Sequence, residues 1–117
     1  LITLSDILLN EDSTQGDFYS LRGMAYFQRA QLQNNSKEII EKSKQDLLKA
    51  TESSNINIDY LAKAYMILSD YHLLNNDLQN ADQTIKKALR ANRRIVGVVD
   101  RLKNINQIKL QLLERKK

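Results

Sequence analysis

Proline is absent from this chain, and glycine occurs only at positions 16, 23 and 97. These residues are the strongest breakers of regular structure. A sequence of 117 residues with so few of them is expected to be helical almost throughout. Gly23 lies inside the stretch "DFYSLRGMAYFQRA", residues 17–30, which otherwise reads as a helix. A glycine in a helix interior costs about 1 kcal/mol relative to alanine. Its place there is explained by close approach of a second helix, which only a residue without a side chain permits.

Apolar residues at a 3.6-residue period divide the chain into successive helical segments. Leu1, Leu4, Ile7 and Leu8 predict a short helix over residues 1–10, before the polar run "NEDSTQGD". From Gly16 to Gln33 the stripe is Phe18, Leu21, Met24, Ala25, Phe27 and Ala30. The next helix is expected to start at Asn35 as N-cap, with Glu38 as capping-box partner. Its stripe is Ile39, Ile40, Leu47, Leu48 and Ala50, with Ser43 among them. Asn57 caps the third, with Ile56 and Leu61 spaced as a hydrophobic staple; Leu61, Ala64, Tyr65, Leu68, Tyr71 and His72 follow. Asn76 or Asp77 opens the fourth, carrying Leu78, Ala81, Ile85, Ala88 and Leu89. A last helix is expected from about Arg93 into the tail, with Ile95, Val98, Val99, Leu102, Ile105, Ile108 and Leu112. Short polar breaks make neighbouring helices antiparallel. The expected fold is all-α: two helical hairpins with a helix at each end, in one domain.

The balance of 42% hydrophobic and 27% charged residues is that of a globular chain, not a disordered one. Without cysteine there is no disulfide framework and no thiolate metal site. No stretch resembles a signal peptide, and no apolar run approaches the length of a membrane span. The chain opens on leucine, which we read as a trimmed start; the compartment is unknown, with the cytoplasm as default. Charge is unevenly placed. Residues 86–117 hold a local +9 against +4 for the whole chain, which leaves −5 on the rest.

The hairpins share a pattern. Tyr19, Gly23 and Tyr26 are spaced four and three apart, as are Tyr65, Ser69 and His72: a ring, a small residue, a ring. The second helices match as well, Ser43, Leu47 and Ala50 against Ala81, Ile85 and Ala88. Two signatures recurring in the same order indicate an internal repeat. On these residues the chain resembles the tetratricopeptide repeat family. The stretch "YMILSDYHLLNNDLQNADQTIKKALRANR" fits the frame of about 34 residues without a gap, with Leu68 and Asn76 also on signature positions. Asn76 stands where a turn glycine is usual, and Arg93 where the family has proline. The first hairpin fits once eight residues are inserted around "QLQNNSKE". The resemblance implies a short right-handed solenoid: repeats at 16–52 and 57–92, a helix over 1–10, and a basic capping helix over 93–117. It also implies packing roles for Tyr19, Gly23, Tyr26, Ala50, Tyr65, Ser69, His72, Ala81 and Ala88.

Nothing in the sequence points to catalysis. There is one histidine, no glycine-rich phosphate loop and no metal-ligand spacing, so no cofactor or metal is expected. His72 could pair with Asp70 or Asp77, but its repeat position is one of ring packing. Lys86, Lys87, Arg90, Arg93, Arg94 and Arg101 form a basic cluster, read either as a solvated face or as a patch for an acidic protein. Nucleic acid is disfavoured, because residues 73–117 offer no aromatic ring for base stacking.

The family resemblance further implies a groove lined by the first helix of each hairpin. In this chain the groove would present Asp17, Ser20, Met24, Phe27 and Gln28, then Lys63, Met66, Asp70, Leu73 and Leu74. Its floor is apolar and adaptable, unless the N-terminal helix covers part of it. The lysine and asparagine clamp by which one subgroup grips a C-terminal carboxylate is missing: Ser20, Met24, Met66 and Asp70 stand there. The expected function is non-catalytic protein binding in this groove. The alternatives are a self-assembling piece of a larger scaffold or, less favoured, a nucleic-acid-associated domain using the basic helix.

Overall fold

The computed structural model describes residues 3, 4, 6, 7, 15–34 and 36–115. Five helices account for most of them: α1 (Gly16–Leu32), α2 (Lys37–Glu52), α3 (Ile58–Leu74), α4 (Leu78–Asn92) and α5 (Val98–Arg115). No strand occurs among the described residues. Of the helix expected over 1–10, residues 3, 4, 6 and 7 are helical; the others, and the expected cap Asn35, lie outside the described residues, while Glu38 stands in the first turn of α2. The fold is all-α, with α1 packed on α2 and α3 on α4 as adjacent pairs.

Local chemistry sets the helix limits. The Asn57 side chain accepts from the Asp59 N–H, and Asp77 accepts from that of Asn80, each satisfying a donor that the first turn leaves free. The Asn80 side chain adds a second bond, and together the two hold the Asp77 carboxyl below the usual carboxylate range. Ser36 precedes α2 without a side-chain cap bond. Both hairpin turns use an asparagine in the left-handed region: Asn34 and Asn76 each stand two residues past the preceding helix, each with φ of 57°. Asparagine tolerates that conformation better than most residues do.

The last helix begins later than its apolar stripe suggests. Residues 93–97 form turns, and Gly97 has φ of 96°, which interrupts the helix before Val98.

Two apolar clusters hold the stack together. Leu47, Ala50, Ala64, Ile67, Leu68 and Tyr71 join the first hairpin to α3. Met66, Ala81, Ile85, Ala88, Val98 and Ile105 join α3, α4 and α5. Because α3 serves both clusters, it is apolar on nearly every side, as a helix enclosed by neighbours must be. Helix α4 buries one stripe, Ala81, Ile85 and Ala88, in the second cluster shared with α3 and α5, and is correspondingly two-sided.

The small residues sit at the inter-helix contacts. Gly23, Ala50, Ser69, Ala81 and Ala88 are all buried. A Cβ on Gly23 would stand 2.7 Å from Leu47 Cγ and 3.2 Å from the Leu47 backbone nitrogen. The rings are less enclosed than the packing roles imply: Tyr19, Tyr26, Tyr65 and His72 are only half-buried.

The first hairpin is longer at its turn end. Leu32 lies nine residues beyond Gly23, whereas Leu74 lies five beyond Ser69. Likewise Ser43 lies six residues into α2, and Ala81 three into α4. The eight extra residues therefore lengthen both helices of one hairpin and add one residue to its turn.

Candidate functional site

Helices α1 and α3 lie side by side and present the face proposed from the sequence as a groove. Its members have unequal access. Ser20 is fully buried, and its hydroxyl donates to the carbonyl oxygen of Tyr60 at 2.8 Å. It fastens α1 to α3 and is not open to a partner. Met66 is in the second apolar cluster, and its sulfur lies against the turn at Gly97. Asp70 receives three hydrogen bonds of 2.9–3.1 Å from the Arg101 guanidinium. Both Met66 and Asp70 are thus covered from the C-terminal side, which excludes them from an open groove. The reason is the turn at Gly97 and the first turn of α5, which carries Arg101; the sequence does not specify where they dock.

What remains open is the other part of that face. Phe27 meets Tyr71 edge to face, with ring centroids 5.3 Å apart. Beside them Ala30, Gln31 and Leu74 complete a small pocket of about 280 Å³. Leu74 is 62% exposed at its edge. Met24 and Leu73 are half-buried, each backed by one of the apolar clusters. Lys63 is half-buried, with its ammonium 5.6 Å from the Tyr60 ring centroid. Asp17 instead accepts from the Asn57 backbone N–H and ties α1 to the start of α3.

The basic cluster does not form one free patch. Arg101 is held by Asp70, and Lys86 by Asp82 at 2.9 Å. Lys109, outside the cluster read from the sequence, reaches the same Asp82 oxygen at 2.8 Å and pins α5 to α4. Burial works to raise the Asp82 carboxyl, but the hydrogen bonds from Lys109 and Lys86 outweigh it and hold it below the usual carboxylate range. Lys87 lies 5.9 Å from the Tyr65 ring centroid, while Arg90, Arg93 and Arg94 are exposed.

Sequence spacing gives no hint of the most buried ionic group. Arg22 grips Asp46 with two hydrogen bonds of 2.7 Å and reaches Asp6 at 2.7 Å. Asp46 and Asp6 hold the guanidinium firmly protonated despite partial burial. Asp46 is 4% exposed, so this pair locks α1 to α2 beside the Gly23 contact.

A second opening, roomier than the pocket beside Leu74, lies between α2 and α4. Both pack on α3, but their backbones stay apart, with no Cα pair within 8 Å among the described residues. The resulting cleft holds about 550 Å³. The half-buried His72 lines it, as do Tyr65 and Tyr71. The Tyr71 hydroxyl is buried without a well-aligned partner, and burial pushes its pKa up, with Ser43 pulling it partly back. Among the described residues no cluster of His, Asp and Glu could hold a metal ion, and no helix is long and apolar enough to cross a membrane. Compared with known proteins, the chain matches no family model, no curated protein and no solved structure.

Proposed function

We propose that this chain is a non-catalytic helical-repeat module of the tetratricopeptide type that binds a segment of another protein on the face of α1 and α3. The observation that carries this reading is Leu74, 62% exposed beside a pocket floored by the Phe27–Tyr71 pair. An exposed leucine next to an aromatic recess suits an amphipathic helix or an extended segment that inserts an apolar side chain. With Met66 and Asp70 covered, the site is confined to Met24, Phe27, Leu73 and Leu74, with Lys63 at its margin. Leu74→Glu tests it, because the side chain is exposed and the domain should stay folded. A partner captured by the wild-type chain from its native cells should be lost by this variant, with helicity and Tm retained. If the variant captures the same partner equally well, the face is not the site.

A second reading has its own support. Helix α5 turns Val99, Leu110 and Leu113 outward, 38%, 60% and 59% exposed, next to Val96 at 92%. Such a face suits a further repeat or a second copy, as in a scaffold built by stacking. Light scattering across a concentration series tests it; a strictly monomeric result counts against self-assembly.

A further inference from the structure

The cleft between α2 and α4 is a second candidate site, which shares the Tyr71 ring with the pocket on the α1–α3 face and has its other lining residues to itself. Its α2 wall runs from Lys44 to Glu52 and its α4 wall from Asn80 to Lys87. At ~1.5 Å of rise per residue each wall is roughly 10–12 Å long, room for about four residues of extended peptide at ~3.3 Å each. The volume of about 550 Å³ lies within the range of roughly 300–1,000 Å³ that ligand sites occupy.

The chemistry of the lining selects the occupant. Tyr65 and Tyr71 on α3 supply an apolar floor. Asn75 and Gln83 are exposed at the rim, and each side-chain amide both donates and accepts, which matches the alternating groups of a peptide backbone. One lysine enters from each wall: the Lys44 ammonium is 5.5 Å from the Tyr71 ring centroid, and that of Lys87 is 5.9 Å from the Tyr65 centroid. Among the described residues, Lys44 has one distant carboxylate neighbour, Glu41 at 3.9 Å, and Glu52 is the single acid lining the cleft. We propose that this cleft binds an extended acidic segment of another protein, its backbone on the rim amides and its carboxylates on Lys44 and Lys87.

The test uses the whole chain and two pools of capped, fluorescein-labelled tetrapeptides, read by anisotropy. One pool alternates Val or Leu with Glu; the other has Lys in place of Glu. The Glu pool should bind saturably and about tenfold or more tighter than the Lys pool, a difference of about 1.4 kcal/mol. The Lys44→Glu, Lys87→Glu double variant changes side chains at the cleft rim and should keep the wild-type melting curve. It should lose about tenfold or more in affinity for the Glu pool and come to prefer the Lys pool. Leu74→Glu should bind the Glu pool as the wild type does, which separates this cleft from the α1–α3 face. The proposal is overturned if the Glu pool shows no saturable binding, or if the double variant binds it undiminished. Equal affinity for free glutarate or tripolyphosphate would also overturn it, since the site would then take small anions rather than a peptide.

Discussion

The hydroxyl of Ser43 donates to the carbonyl oxygen of Gly23 at 2.7 Å, bridging α2 to α1. In the second hairpin the same bridge runs the other way. There Ser69 on α3 donates to the carbonyl of Ala81 on α4 at 2.8 Å. In the proposed repeat alignment Gly23 corresponds to Ser69 and Ser43 to Ala81, and each hairpin has one hydroxyl at this contact, carried by the second helix in one and the first helix in the other. Each bridge satisfies a buried hydroxyl and ties two helices that small residues allow to come close. A typical bond of this kind contributes about 1 kcal/mol.

Gly23 is the more demanding half of the first contact. In Gly23→Ala the added methyl would stand 2.8 Å from Leu47 Cδ2 as well as against Cγ, and Leu47 is fully buried, its backbone nitrogen 3.2 Å away. Overpacking of this kind costs about 1–3 kcal/mol, against a helix-propensity gain of about 1 kcal/mol. A net loss of stability is expected in urea unfolding, and Gly23→Leu should fail to form the native hairpin. A Gly23→Ala variant more stable than the wild type would contradict the close contact.

The Arg22–Asp46 pair should dominate the polar contribution to the first hairpin. Removing Arg22 leaves the Asp46 carboxylate, 4% exposed, without its main partner. Arg22→Ala is therefore expected to cost about 3 kcal/mol, the low end for breaking a buried pair. Adding Asp46→Asn should recover much of that loss. Asp6 is 48% exposed, so Asp6→Asn should cost under about 1 kcal/mol. Chemical denaturation of these variants checks the order; equal effects of Arg22→Ala and Asp6→Asn would contradict it.

Acid should loosen α5 through Asp82. Its carboxyl titrates below the unfolded value of about 3.9, because Lys109 and Lys86 bind the charged form. The stability it contributes is thus complete above about pH 4 and lost as pH falls through the folded value. The protection of the Ile105 amide, measured against its intrinsic exchange rate at each pH, should fall on acidification below about pH 4, and less so in Asp82→Asn. An identical acid response in wild type and Asp82→Asn would refute this account of the attachment.

Much of this architecture was legible in the residues themselves. The helices, the Asn57 and Asp77 caps and the contact at Gly23 follow from periodicity, local hydrogen bonding and side-chain size, all of which act over a few residues. The ionic ties do not. Arg22 and Asp46 are 24 positions apart, and Asp70 and Arg101 are 31 apart, so their pairing exists only once helices are docked. The covering of Met66 and Asp70 escaped sequence reading for the same cause. The left-handed turn at Gly97 sets where α5 starts and directs it across α4. The cleft at His72 is equally a product of docking, because it is the space where α2 and α4 fail to meet.

The reading of the two hairpins as copies of one unit underlies the rest, and moving the hydroxyl tests it. Ser69→Gly with Ala81→Ser rebuilds the second contact in the form of the first. Alone, Ser69→Gly loses a hydrogen bond and helix propensity, and Ala81→Ser crowds a second hydroxyl into a full space; each should cost about 1–2 kcal/mol. Urea unfolding of the wild type, both single variants and the double variant closes a double-mutant cycle. The account predicts that the double variant is no less stable than either single one. Costs that simply add would show that the two contacts are not interchangeable, and would contradict it.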